Sequence, residues 1–157
     1  MSADAATIER NLAAARRFVE GVLGGSEPDA FAELVHPDVV VDTGLKPAGG
    51  PVRGAEEYGR LLGETLGAAF EGGSMTIKDI APLADGRVVV RFEATARNTG
   101  ALNGIAATGL TFTFCELHLM RFEDGRLVEN WVGGLNPLMY ETWQAPVMAP
   151  ELLAGAK

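Results

Sequence analysis

The stretch Leu110-Thr111-Phe112-Thr113-Phe114-Cys115-Glu116-Leu117-His118-Leu119-Met120-Arg121-Phe122 decides how the rest of the chain is read. Successive side chains of a β-strand point to opposite faces. One face therefore carries Phe112, Phe114, Glu116, His118, Met120 and Phe122, four apolar groups that demand burial and take a carboxylate and an imidazole in with them. Burying an ionisable pair costs several kcal/mol unless the pair is satisfied or wet. Glu116 and His118 thus either satisfy each other in a core or line the wall of a cavity. The opposite face, Thr111, Thr113, Cys115, Leu117, Leu119 and Arg121, is also too apolar at its centre for open water. Both sides of the strand are covered, and Cys115, among Thr and Leu, reads as packing and not as a nucleophile.

Outward from this strand the second half of the chain has the same texture. Met75 to Ile80, Arg87 to Arg97 and Leu127 to Val132 are rich in Val, Phe and Thr, and Asp85-Gly86 and Asp124-Gly125 predict tight hairpin turns. An antiparallel sheet is expected. The first half reads as helices. Ile8, Leu12, Ala15, Val19, Val22 and Leu23 recur at steps of three and four up to Gly24-Gly25. Ser26, Pro28 and Asp29 predict a short helix start, closed by His36-Pro37-Asp38. Val39 to Asp42 predicts a strand, and a third helix carries Tyr58, Leu61, Leu62, Leu66 and Ala69 on one face. Helices first and an antiparallel sheet second is an α+β order with the helices on one side of the sheet. At 157 residues one domain is expected over 1–144, with a helical turn or two at Pro137 to Trp143. Residues 145–157 are expected to form a flexible or partner-crossing tail.

Composition narrows the function. Apolar residues make up 47% of the chain, enough for a sizeable core, and 13 Lys and Arg against 21 Asp and Glu leave a net charge of −8. That sign repels phosphate backbones and anionic headgroups, so neither nucleic acid nor membrane is an expected partner. One Cys and two His give no cluster for a metal. No cofactor is implied. The N-terminal residues lack a signal-peptide pattern, and a cytoplasmic protein is expected.

The remaining polar candidates keep two readings each. Asn130 lies on an apolar face with Val128 and Val132, where it bonds to backbone or orients a substrate carbonyl or the His118 ring. On the other face Glu129 reads as an ion pair with Arg91 or Arg121, and Trp131 as core. Asp42 either begins a turn or sits at a cavity mouth. His36 carries no expected catalytic role. Asn98-Thr99-Gly100 and Asn103-Gly104 are turn chemistry and not a phosphate cradle.

Two segments resemble a known family. Asn98 to Gly109 (NTGALNGIAATG) and His118 to Trp131 (HLMRFEDGRLVENW) are similar to the SnoaL-like polyketide cyclases, with matching segments at His36-Pro37-Asp38 and Pro51 to Tyr58. The resemblance implies an NTF2-like cone, a strongly curved antiparallel sheet wrapped around helices with an apolar pocket inside. It implies a pocket lined by Phe112, Phe114, Glu116, His118, Val128, Asn130 and Val132, with Val41, Tyr58 and Met120 also touching substrate. In the family's aldol cyclases an Asp directly after the Trp of the last strand is the general acid/base. A His stands two residues before it and another on the preceding strand. Here the second is His118, but the other positions are Asn130 and Val132, and Ala106-Ala107 replaces the Pro-Pro usual before Thr108-Gly109.

The expectation is a cyclase that closes a ring in a hydrophobic polyketide of a natural-product pathway without the family's aspartate. One route is conformational templating of an intramolecular [4+2] addition, with His118 or Asn130 polarising a carbonyl. The alternatives are acid/base isomerisation or epoxide opening by Glu116, His118 and Asp42, and a protein that binds a small molecule without turnover. Leu117 and Leu119, turned away from the pocket, predict a homodimer.

Overall fold

The computed structural model describes residues 2–43, 50–102, 104 and 106–133. The expected helical turn at 137–143 and the tail at 145–157 lie outside them. Helix α1, Ala5–Arg17, is capped by the Asp4 carboxylate, which accepts the Thr7 N–H at 2.8 Å. It runs into a π-helical segment, Phe18–Leu23, where the Gly24 N–H reaches back to the Val19 carbonyl at 3.0 Å. Phe18 and Val19 are fully buried there. Burial of an apolar side chain of that size contributes about 1.5–3 kcal/mol. A 3-10 turn, Pro28–Ala30, leads to the one-turn helix α2, Phe31–Leu34. Ser26 does not cap it, since its hydroxyl donates to the Glu20 carbonyl instead.

Strand β1, Val35–Asp42, begins earlier than Val39, so His36-Pro37-Asp38 lies in an irregular strand and does not close a helix. The two-residue strand β2, Val52–Arg53, pairs with it. Helix α3, Ala55–Arg60, again continues as a π-helix, Leu61–Gly67. The strands β3, Phe70–Pro82, β4, Val88–Asn98, β5, Thr111–Glu123, and β6, Arg126–Gly133, follow. Gly72 and Gly73 fall in a register break of β3. The turn at Asp124-Gly125 has positive φ at both residues, 47° and 79°, as a tight hairpin needs.

The sheet order is β2-β1-β6-β5-β4-β3. Every neighbouring pair is antiparallel except β1 with β6, which is parallel. That joint corrects the expectation of a wholly antiparallel sheet. A run of valines between turn signals specifies a strand but not the direction of its partner. The sheet is curved, its inner face packs on α1, α2 and α3, and the whole is an NTF2-like α+β cone. Phe18, Val39, Val41, Val90, Phe92 and Met120 centre the core.

A register shift between Arg121 and Phe122 pairs Phe122 with Leu127 and Arg121 with Glu129, which leaves Val128 as the bulged residue. Leu127 therefore turns into the core, although strict alternation sets it beside Glu129. Trp131 is a second correction. It is 48% exposed on the outer face, leaning over Gly133, where a Cβ would fall 2.2 Å from the indole.

Candidate active site

Helices and sheet enclose a cavity of about 550 Å³. Val22, Leu23 and Phe31 line one side, Leu61, Leu62 and Leu66 another, and Phe70, Met75, Ala96 and Phe114 the sheet wall. Both π-helical segments thus border the cavity. Such turns are rare and recur at functional sites, since the extra residue per turn reshapes a wall. Thr43, Tyr58, Glu116 and His118 supply the polar side chains of the lining among the described residues.

β5 positions the central pair. Glu116 and His118 stand on one face two residues apart, 12% and 3% exposed at the side chain, and Glu116 Oε2 lies 3.0 Å from His118 Nε2. The imidazole rests edge-on against Phe92, with centroids 5.0 Å apart. Its other nitrogen, Nδ1, lies 3.2 Å from the Asn130 amide nitrogen. That amide, 1% exposed, also donates to the Tyr58 hydroxyl at 3.3 Å. With Asn130 donating to Nδ1, the ring proton resides on Nε2 and is donated to the carboxylate. Tyr58, Asn130, His118 and Glu116 form one hydrogen-bonded chain. In a neutral ring the opposite orientation of the amide would set its oxygen against an Nδ1 proton and leave a bare Nε2 lone pair facing the carboxylate, a repulsive contact. As oriented, Asn130 Oδ1 has no partner among the described residues.

Both ring nitrogens of His118 are therefore engaged, which removes it as a free donor to a substrate carbonyl. Asn130 stands behind the wall and not in it. Among the described residues, the second oxygen of Glu116 and the hydrogen of the Tyr58 hydroxyl face the cavity with unused hydrogen-bonding capacity. Burial pushes the Tyr58 phenol well above its ordinary pKa, opposed by the Asn130 bond and reinforced by the Glu116 charge.

Of the other expected residues, Val41, Phe114 and Val132 line the cavity, and Val132 pairs directly with His118 across the sheet. Phe112 packs instead in a separate cluster with Ala69 and Leu102. Met120 is buried in the core and Val128 in the bulge, and neither lines the cavity. Asp42 points outward, exposed, beside Trp131, and its neighbour Thr43 lines the cavity in its place. Glu129 pairs with Arg121 at 3.0 Å, which holds its carboxyl below the usual range, while Arg91 pairs with Asp79. Cys115 lies on the outer face with its sulfur 3.8 Å from Arg91. No group of three His, Cys, Asp or Glu among the described residues is placed to hold a metal.

A family model for the SnoaL-like polyketide cyclases matches residues 13–133. The chain is similar in structure to a candidate SnoaL-like polyketide cyclase from Jannaschia sp. CCS1, at 17% identity over 92% of this chain and 98% of that one, with a TM-score of 0.74. It is similar to TsrD from Streptomyces laurentii, at 21% identity over 89% and 96% and a TM-score of 0.69. It is also similar to IdmH, a candidate polyketide cyclase from Streptomyces antibioticus, at 23% identity over 87% and 96% and a TM-score of 0.66. These likenesses carry the fold. No curated protein matches the chain.

Proposed function

We propose that this chain, which belongs to the SnoaL-like polyketide cyclase family, closes a ring in a hydrophobic polyketide intermediate, with Glu116 moving the proton and His118 holding Glu116 in place. The observation that carries this reading is the Glu116 carboxylate at the cavity wall, bonded to His118 at 3.0 Å. Ring closure next to a carbonyl needs a group to accept the α-proton and return it to the new alkoxide. Val132 stands where the family's aldol cyclases have their aspartate and transfers no proton. Glu116 lies two residues along β5 from His118, on the same face, and His118 is the residue that Val132 faces. A positioned acid/base group contributes about a hundred- to ten-thousand-fold.

The apolar walls favour a second reading, in which the cavity folds the chain into a reactive conformer for a [4+2] closure and Glu116 does little. A carrier that returns its ligand unchanged is a third, against which stands the cost of a buried carboxylate that binding alone does not use. Mass spectrometry of a linear polyketide before and after incubation decides between enzyme and carrier. A cyclised product is expected, and tight binding with unchanged mass would remove the enzyme.

We also propose a homodimer that covers Leu117, Leu119 and Trp131 on the outer face of the sheet. Trp131 pairs with Leu119 and Leu119 with Val89, so an apolar row crosses β6, β5 and β4. The proposed domain spans 1–144, and the compartment is the cytoplasm.

A further inference from the structure

We infer that the Tyr58 hydroxyl is the donor that seats a carbonyl oxygen of the substrate, so that the molecule bound here presents a ketone or enone at the Glu116 end of the cavity. The inference rests on reading the cavity as the substrate site. It extends that reading from one group to a pair. Tyr58 lines the cavity and is buried, and its ring is fixed against Phe18 and Phe31 with centroids 6.1 and 5.8 Å away. Its oxygen accepts the Asn130 N–H at 3.3 Å, so the hydroxyl hydrogen cannot be directed there and has no acceptor among the described residues. A buried hydroxyl with an unused hydrogen calls for an acceptor from the ligand.

The chemistry fits the other end of the chain. As Glu116 takes a proton from the carbon beside the carbonyl, the C–H pair becomes the new C=C bond and the carbonyl π pair moves to oxygen. Tyr58 shares its hydrogen with that oxygen without giving it up, as befits a phenol held protonated by burial. The enolate carbon then bonds to the electrophilic carbon, whose oxygen recovers the proton from Glu116. The sum is proton-neutral. Asn130 and His118 are positioning residues, because one amide fixes both the phenol and the imidazole that holds the base. In a [4+2] closure the same hydroxyl would polarise the carbonyl of the dienophile.

The test uses 1-tetralone carrying carbon-13 at its carbonyl. On binding to the full chain the carbonyl resonance is expected to move downfield. It should lose that shift in Tyr58→Phe, which keeps the ring packing, and keep it in Glu116→Gln. An unchanged shift in Tyr58→Phe, or no saturable binding to the unsubstituted chain, overturns the inference. Should Tyr58→Phe not fold, a chain that keeps Tyr58 still decides, because Tyr58 and Tyr140 are the two tyrosines and Tyr140→Phe leaves one ring signal. The ring-carbon signal that survives in Tyr140→Phe must move when the ketone binds, and its failure to move overturns the inference. In turnover, Tyr58→Phe is expected to lower the rate about a hundred- to a thousand-fold, the usual cost of removing one such donor. A shifted ketone with no conversion of any polyketide would leave Tyr58 assigned and remove the cyclase reading. Conversion undiminished in Tyr58→Phe would do the reverse.

Discussion

Asn130 holds His118 from behind: its amide nitrogen lies 3.2 Å from Nδ1, which leaves the ring proton on Nε2 and aims it at Glu116. A substitution in this chain should therefore act on more than the residue changed.

Replacing Glu116 or His118 by Gln separates proton transfer from templating. Loss of a thousand-fold or more in kcat/KM is expected from Glu116→Gln, and the double variant should be little worse than the single one, because the pair acts as a unit. A loss near ten-fold would leave [4+2] templating as the reading.

Asn130→Leu tests positioning. The substitution removes two hydrogen bonds but also a buried oxygen without a partner among the described residues, so stability should change by no more than about 2 kcal/mol. The nitrogen-15 shifts of His118 should move toward a mixed tautomer, with kcat falling more than KM. Unchanged imidazole shifts would show that the amide does not set the tautomer.

The buried phenol predicts an alkaline effect. Tyr58 holds its proton more tightly folded than unfolded, so its contribution to stability is complete below about pH 10, the unfolded value, and is lost as pH rises toward the folded one. Ultraviolet titration should show Tyr58 ionising well above an ordinary tyrosine, with the stability of the fold declining across the same range. A normal titration of both tyrosines would contradict the burial argument.

At the rim of the small cluster, Asn98 is fully buried and saturated. It donates to the Ala69 and Gly100 carbonyls and accepts from the Thr108 N–H and hydroxyl. Asn98→Ala should cost on the order of 3 kcal/mol in urea unfolding, since it strands several of these partners at once. Gly100→Ala should also destabilise, because its Cβ would lie 2.0 Å from the Ala68 carbonyl oxygen.

Trp131→Glu with Leu119→Glu places charges on the outer apolar row. Light scattering is expected to give a dimer for the unsubstituted chain and a mass near 16.5 kDa for the variant. A monomer in both cases would remove the proposed interface.

The β5 faces were legible because alternation alone sorts Glu116 and His118 from Cys115 and Leu117. The same rule failed where a bulge intervened, since a single extra residue at Val128 re-aims Leu127 and no residue type announces it. The three valines before Asp42 specify a strand without saying which face is inner, and of the two readings open to Asp42 the cavity position falls to Thr43 instead. Trp131 reads as core by composition, yet the bare backbone of Gly133 gives its indole a place on the outside. The link from Tyr58 to Asn130 joins residues far apart in the chain through β1, and local pattern carries no trace of it.

The parallel joint between β1 and β6 has a consequence for how the protein is made. Val41 pairs with Asn130, so the first long strand waits for the last one before it gains that neighbour. Contacts between distant parts of a chain form slowly because the loop must close before anything is gained. On the ribosome α1 and the β3–β4 hairpin can form while β6 is still unmade. Asn130, and with it the alignment of Tyr58 and His118, is made after α1 and the β3–β4 hairpin, so a nascent chain should acquire most of its helix and sheet before it acquires a working centre.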